Sequence, residues 1–280
     1  MPELPEVETV MRGLVARLAG ERLARVTLAR PDLRWPLPAA FAEDVRGRRI
    51  IGFARRGKTI LMRLEGGLTV LWHLGMSGRV RLSGPGEPVP SVAHEHAVFA
   101  TASGWRAGFV DPRRFGSLDL VATAAETEHP RLRGLGPEPL EDGFTPAVLA
   151  AALAGRQTSL KAALMDQRTV AGLGNIYVCE SLFRAGLSPR RSARTVGTVR
   201  AGRLVAAIRA TLADAIAAGG SSLRDFRQAN GELGYFQHAW KVYGRAGAPC
   251  ERCPGAPLCG GVRVIAQNGR STFYCPRTQR

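Results

Sequence analysis

The chain has 280 residues, a formal net charge of +16 and a sequence pI of about 11.0. It has no run of about 18 apolar residues, which excludes a membrane-spanning helix, and Arg12 and Arg17 break up the first apolar segment, which excludes a secretory signal. The positive excess is almost all arginine, since only Lys58, Lys161 and Lys241 are lysines, and it points either to a polyanionic partner, most simply nucleic acid, or to a generally basic surface.

The first eight residues read Met-Pro-Glu-Leu-Pro-Glu-Val-Glu. Pro2 and Glu3 look like the first turn of a helix whose apolar face is Leu4, Val7, Val10, Met11, Leu14 and Leu18. Removal of Met1 would leave Pro2 as a secondary amine, able to attack an aldehyde-like sugar carbon and form a cationic iminium. The helix dipole favours the neutral amine, and Glu3 beside it suits general acid or base work. The plainer alternative is that Pro-Glu only starts a helix.

Residues 20–125 are β-rich. Val26–Leu28, Ile50–Phe53, Thr59–Met62, Leu68–Leu71 and Val98–Ala100 are short runs between Gly, Pro and Arg clusters, a pattern for a sandwich or small barrel. Lys58 follows Gly57 at a strand edge and either meets a phosphate or is a solvated hairpin lysine. Met76, between two glycines, and Phe115, beside Arg113 and Arg114, are either wedges for stacked bases or core residues at strand ends. His94 and His96 share a strand face. They fit a metal pair lacking a third ligand, hydrogen-bonded structural histidines, or a phosphate contact.

Glycines and prolines between 126 and 144 read as a linker, and Thr145-Pro146 as a helix start. Helical periodicity continues to about 220. Within it, Gly172-Leu-Gly174-Asn175 joins two helices. The join is either a plain helix hairpin or, with Asn175 as cap and Lys161 nearby, an anion site. Gly219 through Gly234 is a glycine-rich loop, either a lid or a flexible connection. Of five cysteines, Cys179 falls inside a helix and reads as buried. Cys250, Cys253, Cys259 and Cys275 crowd the tail around a Gln267-Asn268-Gly269-Arg270 hairpin turn. This usage fits a reduced cytoplasm and a local zinc site better than a disulfide scaffold.

Together, Met-Pro-Glu-Leu-Pro-Glu-Val-Glu-Thr at 1–9, Gly-Lys at 57–58, His-Leu-Gly-Met-Ser-Gly at 73–78, Asp-Pro-Arg-Arg-Phe-Gly at 111–116, Gly-Leu-Gly-Asn-Ile-Tyr at 172–177 and the cysteine tail resemble the bacterial formamidopyrimidine-DNA glycosylase family. The resemblance covers essentially the whole chain. It implies an α+β fold: an N-terminal helix and β-sandwich (1–130), a linker (131–144), a helix-two-turns-helix domain (145–236) with a lesion loop at 221–236, and a zinc-finger β-hairpin (237–280). It implies a monomeric cytoplasmic enzyme of base-excision repair that binds damaged double-stranded DNA. Oxidised purines would be removed through a Pro2 Schiff base and the strand cut by β,δ-elimination.

In that scheme Glu3 handles protons at the sugar, and Glu6 holds the region in place. Met76, Arg113 and Phe115 fill the gap left by the flipped base, with Arg113 reading its partner, cytosine. Lys58, His73, His94, Arg114, Lys161, Asn175 and Arg270 are the implied phosphate contacts, and Lys58 also counts with Pro2, Glu3 and Glu6 among the implied catalytic residues. Leu4 and the Asp-Pro-Arg-Arg-Phe motif favour this family over the related endonuclease VIII class, which acts on oxidised pyrimidines. An intact Pro2-Glu3 pair disfavours a non-catalytic damage binder. One departure stands out: the family's second Cys-x-x-Cys reads Cys275-Pro-Arg-Thr278 here. The expected zinc ligands are therefore Cys250, Cys253, Cys275 and, standing in for the missing cysteine, Cys259.

Overall fold

The helix at the N-terminus forms as its apolar spacing requires, two residues later than expected. In the computed structural model, which describes residues 1–88, 90–222, 228–229, 231–253 and 260–280, α1 spans Leu4–Leu18, with Glu3 as its extended N-cap and Pro5 in the first turn. The Glu6 side chain accepts the Glu3 N–H at 2.8 Å, closing a capping box. Leu4, Val7, Val10, Leu14 and Leu18 are buried, so one full face of the helix enters the core.

Eight strands follow: β1 (Leu23–Leu28), β2 (Ile50–Arg56), β3 (Thr59–Leu64), β4 (Leu68–His73), β5 (Arg79–Ser83), β6 (Glu95–Thr101), β7 (Arg106–Val110) and β8 (Ser117–Ala122), with a short helix α2 (Phe41–Val45) after β1. They make two antiparallel four-stranded sheets, ordered β1-β6-β7-β5 and β2-β3-β4-β8. The inner faces join in one core, where Trp72 of β4 packs on Phe99 of β6 and Phe109 of β7 at 5.1 and 5.4 Å between ring centroids. Burying each such ring contributes about 1.5–3 kcal/mol, and these contacts lock one sheet to the other. The expected sandwich is present. Strands β5, β7 and β8 lie outside the five runs picked out by periodicity. Arg79, Arg81 and Arg106 dilute the apolar pattern of the first two, and an Asp interrupts the third.

The chain divides into two compact units: Met1–Arg133 with Ala218–Gln237, and Gly134–Ala217 with His238–Arg280. The glycine-rich segment after 217 thus belongs to the sandwich unit. Ala229 lies against α1 at Gly13, where a Cβ would come within 2.8 Å of the Ala229 methyl, and its carbonyl accepts the Leu82 N–H at 3.1 Å.

The second unit holds α3 (Pro146–Leu153), α4 (Leu160–Met165), α5 (Asn175–Ala185), α6 (Thr198–Ala217) and a hairpin, β9 (Arg263–Gln267) with β10 (Arg270–Tyr274). Thr145 caps α3 by accepting the Val148 N–H, with Pro146 at the first helical position, as the sequence predicts. Asn268 and Gly269 both have positive φ, 50° and 71°, the conformation a tight hairpin turn demands. Segment 134–144 packs on the helices: Gly136 N–H donates to the Gln167 carbonyl, and the Arg209 guanidinium donates to the Glu141 carbonyl. No helix among the described residues is long and apolar enough to cross a membrane.

Candidate active site and nucleic-acid interface

The N-terminal residues are packed, not frayed. Pro2 is buried, and Glu3 and Glu6 are 4% and 2% exposed. The Glu6 carboxylate is shared: one oxygen holds the Glu3 N–H, and the other accepts the Ser221 N–H at 2.8 Å. The free amine in this structure is that of Met1. Burial pushes its pKa below the usual value, and the Lys58 and Arg113 charges push the same way, against Glu3 and Glu6. Two carboxylates and two cations therefore converge on one amine, and the balance favours its neutral, nucleophilic form.

Lys58 sits in the two-residue turn between β2 and β3, where Gly57 takes a φ of 58°. It is 9% exposed, which excludes the solvated-lysine alternative. The turn is braced from behind. Glu8 on α1 pairs with the Arg55 guanidinium at 2.9 Å, and the same guanidinium donates to the Gly57 carbonyl at 3.1 Å. This brace fixes Lys58 relative to the helix that carries Pro2 and Glu3. Sequence reasoning missed Glu8 and Arg55. The only local hint was the Arg55-Arg56 pair before Gly-Lys.

His73 ends β4 and accepts the Gly75 N–H on Nδ1 at 3.0 Å, which leaves the proton on Nε2. Burial, and then the Lys58, Arg131 and Arg34 charges, lower its pKa to about 4. At neutral pH it is a donor without charge.

The next two loops stand back to back. A Cβ on Gly75 would lie 2.3 Å from the Phe115 carbonyl carbon and from the Gly116 nitrogen, so only glycine permits this approach. The fully buried Asp111 carboxylate bolts the loops together. It accepts the Ser77 hydroxyl at 2.6 Å and the Gly116 N–H at 2.7 Å, while Ser77 Oγ accepts the Arg113 N–H at 3.2 Å. Held this way, Met76 and Phe115 remain 40% and 39% exposed, and the Arg113 guanidinium lies 5.0 Å from the Phe115 ring. Both apolar tips project outward instead of joining the core.

His96 is structural: its Nε2 contacts the Asp111 carbonyl at 2.9 Å. His94 is exposed at a φ of 67°, its ring 6.4 Å from that of His96. Arg114 is exposed at a φ of 57°. Asp111→Asn is expected to lower the melting temperature, because an amide cannot accept both bonds and one lost charged hydrogen bond costs about 1–3 kcal/mol. An unchanged melting temperature would mean that Asp111 does not hold the two loops together.

In the second unit, Lys161 is 2% exposed and donates to Thr272 Oγ1 at 2.7 Å and the Ser271 carbonyl at 3.2 Å. Asn175 is the first residue of α5, with Gly174 as N-cap, so it does not cap the helix as expected. Its amide donates instead to the Ser271 carbonyl at 2.9 Å. Both residues are thus fastened to β10 one position from Arg270, which is exposed at the hairpin tip.

Cys250, Cys253 and Cys275 bring three sulfurs within 4.8 Å of one another, the only such group among the described residues. The Cys253 and Cys275 sulfurs are 3.4 Å apart, and Cys250 Sγ is 3.9 Å from Thr278 Oγ1. Tetrahedral thiolates on zinc stand about 3.8 Å apart, so these three fit a metal. Burial opposes a Cys275 thiolate, but hydrogen bonds from Thr278, Arg277 and Cys253 outweigh it and bring the pKa to about 6. Cys259 lies outside the described residues, as do 223–227 and 230 of the glycine-rich loop.

Two family models match this chain: the formamidopyrimidine-DNA glycosylase N-terminal domain over residues 1–118, and the H2TH domain of the same enzyme over 135–227. The chain belongs to the formamidopyrimidine-DNA glycosylase family. A relative of that name from Acidiphilium cryptum is 64% identical over the full length of both chains. The MutM (Fpg) protein of Thermus thermophilus superposes with a TM-score of 0.86 at 42% identity, covering 99% of this chain and 98% of that one. A Lactococcus lactis Fpg variant bound to Fapy-dG-containing DNA gives 0.88 at 32% identity over all of both chains.

Within this formamidopyrimidine-DNA glycosylase chain, Glu180 is a further anchor that sequence reasoning missed. Buried on α5, it accepts the N–H groups of Lys241, Val242 and Tyr243 at 2.8–2.9 Å. Burial raises its pKa against those three bonds. Cys179 is buried as expected, among Phe183, Val242, Cys250 and Cys275.

Proposed function

We propose that this chain is a DNA glycosylase of base-excision repair that removes oxidised purines, formamidopyrimidines and 8-oxoguanine, from duplex DNA and then cleaves the strand. What carries the proposal is the buried Pro2–Glu3 pair in a pocket that favours a neutral amine. Removal of Met1 frees the Pro2 nitrogen, which donates its lone pair to the sugar C1′. The C1′–N9 bond breaks, and the base leaves with the electron pair of that bond and takes up the proton that the Pro2 nitrogen sheds. Glu3 delivers a proton to the ring oxygen as the ring opens to a C1′ iminium. Loss of a C2′ proton then expels the 3′ phosphate, and a second elimination expels the 5′ phosphate. The relatives bound to damaged DNA support the substrate class. Borohydride reduction in the presence of a lesion duplex tests the scheme. A covalent adduct that maps to Pro2 is expected, with 8-oxoguanine or formamidopyrimidine trapping better than an oxidised pyrimidine. No adduct would favour a non-catalytic damage binder, and pyrimidine preference would favour endonuclease VIII-like activity.

Met76, Arg113 and Phe115 fill the space left by the extruded base, and Arg113 reads the base opposite. Lys58, His73, His94, Arg114, Lys161, Asn175 and Arg270 bind the DNA backbone, and the loop at 221–236 covers the base. Because His73 is uncharged at neutral pH, its contact releases no counterion. His73→Ala should weaken binding without altering the slope of log affinity against log salt, whereas Lys58→Ala should shallow that slope by about one unit. A shallower slope in His73→Ala would mean the bound imidazole is protonated.

The tail cysteines bind one Zn²⁺ through Cys250, Cys253 and Cys275, with Cys259 as fourth ligand. When bound, the ion supplies no chemistry to the reaction and serves to hold the hairpin that presents Arg270. In this reading the protein works as a monomer on the nucleoid, in the bacterial cytoplasm.

A further inference from the structure

The turn after β1 is built to leave an indole in water. Leu33, 7% exposed, anchors it in the core, and main-chain bonds from Leu33 to Trp35 and from Leu37 to Pro31 close it. Trp35 is left 45% exposed. Two guanidiniums share its ring, Arg34 at 4.8 Å and Arg131 at 4.2 Å. Arg34 also lies 6.0 Å from the Phe115 ring, and its N–H donates to the Gly116 carbonyl at 3.2 Å. A ladder therefore runs Arg131–Trp35–Arg34–Phe115–Arg113, all in the sandwich unit.

The ladder is short of negative charge. Arg30, in the same turn, is paired with Asp32 at 2.6 Å. Among the described residues, Arg34 and Arg113 have no carboxylate partner. Arg131 reaches Asp119 only at 3.5 Å, and Asp119 also faces His129 at 3.3 Å. The nearby Asp111 is buried and committed to Ser77 and Gly116. Two guanidiniums against one indole, with Asp119 beside Arg131 and no acid beside Arg34, leave a place for an anion with an apolar flank. A nucleotide backbone has that chemistry: a phosphate for the guanidiniums and a sugar edge for the indole.

We propose that Arg34, Trp35 and Arg131 form a further DNA subsite, which binds one backbone phosphate next to the step that Phe115 opens, on the strand Phe115 faces. This rests on the glycosylase function proposed above and extends its footprint by a site continuous with the wedge. It also gives Arg34 a second task, holding the face of Phe115 opposite new DNA as the duplex bends.

Two measurements test it, on the full-length enzyme with a duplex carrying a reduced abasic site. First, acrylamide quenching of tryptophan fluorescence follows Trp35, because Trp72 and Trp240 are buried and a Trp35→Phe protein supplies the background from Trp105. Saturating DNA should abolish most of the Trp35 quenching in wild type, where no substitution can disturb folding. Second, Arg34→Gln and Arg131→Gln should each shallow the salt slope, and the double variant should shallow it by about one unit in all, the share of the one phosphate they bind. Affinity should fall about tenfold per site, while Arg30→Gln behaves as wild type. Trp35→Phe should keep the affinity that Trp35→Ala loses. Equal quenching of Trp35 with and without DNA, or unchanged slopes in both arginine variants, overturns the subsite. A failure of the parent function would appear separately, as wild-type protein that traps no lesion.

Discussion

Pro2→Gly is expected to reduce base excision by about a hundredfold or more while leaving affinity for lesion duplex within a few-fold of wild type. Glycine keeps a terminal amine but loses the ring that fixes φ and makes the amine secondary. The primary amine is also aimed less well from a chain end freed of its pyrrolidine packing. Glu3→Gln should bind DNA and fail to release the base, with a loss of about 10²–10⁴, the usual range for a missing proton donor. The pH profile supplies a further check. Burial, Lys58 and Arg113 all lower the pKa of the Met1 amine, and the same surroundings acting on the exposed Pro2 nitrogen after processing should set the acid limb of kcat/KM below the ordinary α-amino range. Lys58→Ala removes one of the lowering charges and should move that limb to higher pH. Wild-type excision by either Pro2→Gly or Glu3→Gln would end the assignment of these residues.

The second large effect is expected on metal removal. Chelation should lower DNA affinity by about 100-fold, because the loss is transmitted through the hairpin. The cysteines sit at its base and the Asn268-Gly269 turn at its tip. Between them, Ser271 and Thr272 hold Lys161 and Asn175. Releasing the base thus loosens three implied phosphate contacts at once. Metal analysis should find about one zinc per chain in wild type and none in Cys250→Ser. Cys259→Ser should lose zinc and affinity together. Adding Thr278→Cys should restore both, since Thr278 already stands 3.9 Å from the Cys250 sulfur. Full zinc in Cys259→Ser would assign the fourth position elsewhere. Undiminished affinity after chelation would mean that the hairpin, held also by Glu180, needs no metal.

What the sequence made legible was local. The 3.6-residue period of α1, the Thr-Pro start of α3, the Asn-Gly turn and the Cys250-x-x-Cys253 pair each depend on neighbours within a few positions, and each is found in the structure. What stayed hidden are partnerships that exist only once the chain is folded. Asp111 meets Ser77 across 34 residues, Glu8 meets Arg55 across 47, and Glu180 meets Lys241 across 61. No periodicity encodes such a pair, and a lone carboxylate beside arginines looks like any surface acid. Lys161 is the instructive case. Its place on the helix before the Gly-x-Gly turn suggested a cation for phosphate, and nothing local shows that tertiary packing also ties it to Thr272. Trp35 escaped notice for the opposite reason, because an aromatic after a strand reads as core until its exposure is measured.

The Asp111 bolt also constrains how the family can diversify. One carboxylate fastens both the 74–78 and the 112–116 turns, and glycine backbones touch where they meet. An insertion or deletion in either turn would strip a buried charge of its partners, so neither loop can change length alone. Side chains at the exposed tips, Met76 and Arg113, carry no such penalty. With Met76 and Arg113 in the roles proposed above, new pairing preferences would be open to point substitution and closed to loop grafting, and lineages should differ in the identity of these tips long before they differ in the spacing between them.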